Sequence, residues 1–79
     1  MAETTELTIS LSSIDKVKAF VAIVSAYGGD FDLSSSRYTV DAKSIMGIFS
    51  LDLSSPLKLA IYDAEAAGSI KEQLKDFIV

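Results

Sequence analysis

The chain contains no histidine and no cysteine. Without cysteine there is no disulfide to staple a small fold and no thiol for redox or nucleophilic work, and without histidine the usual acid and base of neutral-pH catalysis is missing. Together the two absences remove the usual soft metal ligands, so zinc chemistry goes with cysteine chemistry. Long hydrophobic runs are lacking too. The longest, Ala19 to Val24, falls far short of the ~20 residues that span a bilayer, and no basic start precedes an early apolar stretch. A soluble, cytoplasmic protein with no membrane partner is expected. Clustered positive charge is also absent: the 7 Lys and Arg residues are scattered and the net charge is -4, which disfavours nucleic acid.

What is present fits one small domain spanning residues 1–79. The 79 residues are 49% hydrophobic, enough for one core, although folding a chain of this length buries only ~60 to 65% of its unfolded surface. No linker, repeat or low-complexity tract divides it. Glu6 to Ser12 alternates, with Leu7, Ile9 and Leu11 on one face, and reads as a half-buried strand. Ile14, Val17, Val21 and Val24, joined by Phe20 and Tyr27, fall at helical spacing. Gly28-Gly29 offers a positive-φ helix stop. Asp30 to Leu33 and Tyr38 to Ala42 form a hairpin around a serine turn. Ser44 to Leu51 is a short apolar helix capped by Ser44, with Ile48 and Leu51 turned to the core. Pro56 bars helix continuation, and Leu57, Leu59 and Ile61 alternate as a fourth strand. Ile70, Leu74, Phe77 and Ile78 predict a last amphipathic helix capped by Ser69. The order strand, helix, strand, strand, helix, strand, helix predicts an α+β fold with helices on one face of a mainly antiparallel sheet. Leu7, Ile9, Val21, Ile61, Leu74 and Phe77 are the expected core.

The run Lys43-Ser44-Ile45-Met46-Gly47-Ile48-Phe49-Ser50-Leu51 resembles the second-helix signature of HPr, the small phosphocarrier of the bacterial sugar phosphotransferase system. The resemblance extends without insertions from about Leu7 to Ile78. It implies an open-faced β-sandwich of four antiparallel strands in the order 1-4-2-3 under three helices. In that family the first helix is entered through Gly-Ile-His-Ala-Arg-Pro-Ala, whose histidine accepts the phosphoryl group from enzyme I. The aligned segment here is Ser13-Ile14-Asp15-Lys16-Val17-Lys18-Ala19. Asp15 stands where the histidine should be, Val17 replaces the arginine, and Lys18 replaces the proline. The chain resembles a phosphocarrier and lacks the atom that carries the phosphate.

Two roles stand open for Asp15. A carboxylate can form an acyl phosphate, which would leave a working carrier, with Lys16 and Lys18 lending charge to a bound anion. Alternatively Asp15 completes a capping box with Ser12 or simply favours the positive end of the helix dipole, and this second role is preferred. Ser44 aligns with the serine that HPr kinase/phosphorylase modifies in many Gram-positive HPr proteins and in their histidine-lacking relatives such as Crh, although as an N-cap it needs no kinase to explain it. Ile45, Met46 and Phe49, with Val17 and Phe20, match positions that in HPr form an apolar docking patch for enzyme I, sugar-specific acceptors and the regulator CcpA. The resemblance therefore implies a regulatory, protein-binding member that is not an enzyme and needs no cofactor. Its partners would lie in sugar transport or carbon catabolite regulation, among them HPr kinase/phosphorylase or a CcpA-like regulator. A carrier using Asp15, or a diverged homo-oligomeric or adaptor module, are the alternatives. Asp30, Asp32, Asp63 and Glu65 lack the ligand count and glycine turn of a calcium loop and are expected to be solvated charges.

Overall fold

The alternating and helical periods resolve, in a computed structural model that describes residues 4–79, into seven elements. They are β1 (Thr5–Ile9), α1 (Ile14–Ser25), β2 (Phe31–Ser34), β3 (Thr39–Asp41), α2 (Ile45–Phe49), β4 (Leu57–Ile61) and α3 (Ala64–Gln73). This is the expected βαββαβα order. The strands form one antiparallel sheet in the order β1-β4-β2-β3, so β4 is inserted beside the first strand rather than added at the edge. Register places apolar residues opposite one another on one face: Leu7 and Leu33 both pair with Leu59, Ile9 with Leu57, and Phe31 with Ile61. A strand's side chains alternate, so the same register sends Glu6, Thr8, Asp32, Ser34 and Lys58 to the opposite, open face.

The helices cover the apolar face. Val17, Phe20 and Val24 recur every three or four residues along α1 and are fully buried. Ile70 and Leu74 meet them in the same core, with Ile48 and Leu51 of the α2 region. Each large side chain removed from water in this way stabilises the fold by ~1.5 to 3 kcal/mol. Of the expected core, Leu7, Ile9, Ile61 and Leu74 are buried, whereas Val21 and Phe77 pack only partly against it.

Several boundaries differ from the sequence reading. β1 stops at Ile9, because Ser10 turns its amide to the Phe77 carbonyl at 2.8 Å, although Leu11 remains buried. No glycine among the described residues has positive φ; α1 ends instead at Ala26, whose backbone is right-handed and whose amide donates to the Ile23 carbonyl, while the Tyr27 amide donates to that of Val24. α3 begins six residues before Ser69 could cap it, with Asp63 as N-cap: its carboxylate accepts from the Glu65 amide at 3.0 Å. Ser69 instead shares a 2.7 Å hydrogen bond with the Tyr27 hydroxyl and ties α3 to the end of α1. Phe77 and Ile78 lie beyond the last helix, where Ile78 bridges to Ile9. No helix among the described residues is long and apolar enough to cross a membrane.

Candidate functional site

The first helix starts where Ser13 adopts an extended backbone and its Oγ accepts from the Lys16 amide at 3.2 Å. The capping residue is therefore Ser13 and not Ser12, a correction of one position: Asp15 then falls at the second helical residue, too early for the reciprocal bond of a capping box. Asp15, Lys16 and Lys18 are all exposed in this first turn and a half. Asp15 places its charge against the positive end of the helix, which is favourable by ~0.3 to 1 kcal/mol.

Val17 and Phe20 do not join that surface. Both are completely buried, against the expectation that they line a partner patch. The reason is geometric: positions 17, 20 and 24 define the inward stripe of α1, and a 12-residue helix lying on a sheet must spend its bulkiest side chains there. The large apolar side chain that α1 exposes most is Ile14, at 61%.

The second helix is built by a turn. Asp41 accepts the Lys43 amide through Oδ1 at 2.9 Å and the Ser44 amide through its carbonyl at 3.0 Å. Ser44 then caps α2, its Oγ accepting from the Gly47 amide at 3.1 Å and its carbonyl from Ile48 at 3.0 Å. A Cβ at Gly47 would lie 3.2 Å from both Ser44 Oγ and Val40 Cβ, a tight fit in which one of them would have to shift slightly. Lys43, next to the cap, sends its ammonium elsewhere. Nζ donates to the Tyr27 carbonyl at 2.6 Å and sits 5.2 Å from the Phe31 ring centre, a cation–π contact. Of the remaining α2 residues, Ile48 is buried, Ile45 is half-buried, and Met46 and Phe49 are 78% and 42% exposed. The structure thus brings Ser44, Met46 and Phe49 together on one short element and removes Val17 and Phe20 from their surface.

Of the acids expected to be solvated charges, Asp30 and Glu65 are exposed, whereas Asp63 caps α3 and Asp32 has a side-chain partner. Asp32 accepts the Tyr62 hydroxyl at 2.7 Å, and this bond, with burial and the nearby negative charge, pushes the Tyr62 phenol above its ordinary range. Asp52, in the loop after α2, accepts both the hydroxyl and the amide of Ser54, at 2.5 and 3.0 Å, which hold its carboxyl below the usual carboxylate range. No cluster of three metal-ligating side chains occurs among the described residues.

No protein-family model matches the chain. No curated protein matches it in sequence. Solved structures do. A phosphocarrier protein HPr from Bacillus anthracis str. Ames superposes with a TM-score of 0.71 at 22% identity, covering 95% of each chain. HPr-C-His from Thermoanaerobacter tengcongensis superposes with the same TM-score of 0.71 at 26% identity, over 94% of this chain and 88% of the other. At these identities the likeness is one of architecture, and it agrees with the strand order and helix placement described above. The fold of this chain is therefore the HPr-like one: a four-stranded antiparallel sheet in the order β1-β4-β2-β3 with three helices on one face.

Proposed function

We propose that this HPr-like protein works as a regulatory, protein-binding module of a phosphotransferase or carbon-control pathway and not as a histidine phosphocarrier. The observation that carries the reading is the outward face of α2, where Met46 and Phe49 stand in solvent although the large apolar side chains of the sheet are buried. Exposed apolar side chains grouped beside a helix start are the ordinary makings of a partner surface. We assign Ile45, half-buried, and Ile14, exposed at the start of α1, to the same surface in place of Val17 and Phe20. Ser44 is proposed as the modification point: a phosphoryl group of about -1.5 to -2 charge at a helix start meets unpaired amides and the positive dipole end. Asp15 is assigned to helix stabilisation, because the chain has no histidine and the family's adjacent arginine and proline are Val17 and Lys18.

The test is intact-mass analysis of the full chain after separate incubations with enzyme I plus phosphoenolpyruvate and with HPr kinase/phosphorylase plus ATP. The expected result is no phosphoryl gain in the first and a single gain in the second that disappears in Ser44→Ala. A gain from enzyme I that is abolished by Asp15→Asn would make the protein a carrier.

A further inference from the structure

Away from the α2 face, two clefts meet at Pro56 where the β2–β3 turn approaches the segment between α2 and β4. The larger has a volume of about 520 Å³, the smaller about 340 Å³, and they share Ser35, Ser36 and Pro56. Both volumes fall in the ~300 to 1,000 Å³ range of small-molecule sites. Neither belongs to the surface proposed above. The larger cleft is lined by Leu51 and Pro56 and by Tyr38, which is 61% exposed. Around these the lining is mostly polar, from Ser35, Ser36, Arg37, Ser50, Asp52 and Ser55, so the cleft suits a polar ligand with a small carbon skeleton.

The polar groups define the ligand. Arg37, the only arginine in the chain, lines the larger cleft, and its guanidinium has no ion-pair or hydrogen-bond partner among the described residues. Lys58 lines the smaller cleft, and its ion pair with Glu6 is long, 3.9 Å, with both side chains more than half exposed, so it is readily given up. The hydroxyls of Ser36 and Ser55 likewise make no hydrogen bond within the described protein. Asp52, also in the larger cleft, accepts from Ser54 through Oδ1 and keeps its negative charge, so an anion must be held on the Arg37 side of the cleft. A free planar fork of donors suits a carboxylate or phosphate, and uncommitted hydroxyls suit a ligand with hydroxyls of its own.

We propose that the clefts around Pro56 form one site for a small hydroxylated anion, its charged group held by Arg37 and its hydroxyl groups by Ser36 and Ser55, with Tyr38 as the wall against its carbon skeleton. The cleft is open to solvent, so the site is one of weak, rapidly exchanging binding.

The experiment is an amide NMR titration of the full chain with glycerol 3-phosphate, and separately with inorganic phosphate and with glycerol. The expected result is saturable shifts at Ser35, Ser36, Tyr38 and Ser55, with glycerol 3-phosphate bound at least tenfold more tightly than either fragment. Arg37→Gln should weaken it at least tenfold and Arg37→Lys by less, while the remaining resonances show the fold intact. Absence of saturable shifts there would overturn the proposal. So would equal affinity for inorganic phosphate, which would mark a bare anion patch, or indifference to Arg37→Gln.

Discussion

The two helix starts are built alike and present different surfaces. Ser13 and Ser44 both adopt extended backbone and both turn a hydroxyl onto the amide three residues on, at 3.2 and 3.1 Å. The first turn of α1 then carries Asp15, whereas the first turn of α2 carries no acid. α1 turns Val17 and Phe20 into the core, whereas the shorter α2 leaves Met46 and Phe49 outside. A 12-residue helix laid across a sheet has a full inward stripe to fill, while five residues supply one strongly buried position, Ile48. Helix length and placement, rather than hydrophobicity, decide which of these apolar side chains are available to a partner.

The largest test of that contrast compares the two phenylalanines. Phe20→Ala should cost ~3 to 5 kcal/mol in urea unfolding, a large share of the ~4 to 12 kcal/mol typical of a chain this size. Phe49→Ala should cost below ~1 kcal/mol in the same melts, yet weaken binding to a captured partner by more than ~1 kcal/mol. Equal destabilisation by the two changes would erase the distinction. Next come the caps: Ser44→Ala should lose ~1 kcal/mol, and Ser13→Ala a similar amount or less because its bond is exposed and longer. Thermal or urea midpoints of the two variants, measured side by side, check the order. A smaller change is expected of Asp15→Asn, ~0.3 to 1 kcal/mol at low salt and less at high salt, as a dipole interaction requires.

The smallest effect lies at Asp52. Its carboxyl is held low in the folded state by the Ser54 hydroxyl and amide, so the folded pKa lies below the unfolded value. The contribution is therefore present above the unfolded pKa and is lost as pH falls through the folded one. Asp52 is exposed, so the effect is best read as a carboxyl titration by NMR, with the midpoint moving up in Ser54→Ala. No change in that midpoint would remove the Ser54 bond as its cause.

Much of this architecture was legible because its signals are local. The alternations in Leu7-Ile9 and Leu57-Leu59-Ile61, and the serine at the start of α2, require only neighbours a few residues apart. The strand order came through the family resemblance alone, since periodicity does not say which strands pair. The start of α3 was hidden because Ala64 to Gly68 contains no bulky apolar residue. Burial of Ala66 and Ala67 and the cap at Asp63 mark that turn instead, and an aspartate before an alanine-rich stretch was the available signal. Val17 and Phe20 share helical spacing with Val24, which marks them as core, and that spacing outweighs their alignment with the docking patch of HPr. The Lys43 bond to Tyr27 and the cleft at Arg37 depend on contacts between distant segments, and no sequence window contains them.

Gly47 has a consequence for access. The space where its side chain would stand is narrow, with Ser44 Oγ and Val40 Cβ each 3.2 Å from where a Cβ would lie. A methyl group there would shield one flank of the serine oxygen at the same time as it pressed on β3. Its absence lets α2 seat tightly on its neighbour and leaves that flank of the hydroxyl unscreened by a side chain at position 47, so one missing carbon serves both close packing and chemical reach. Gly47→Ala should for that reason slow any reaction at Ser44 by more than its effect on folding accounts for.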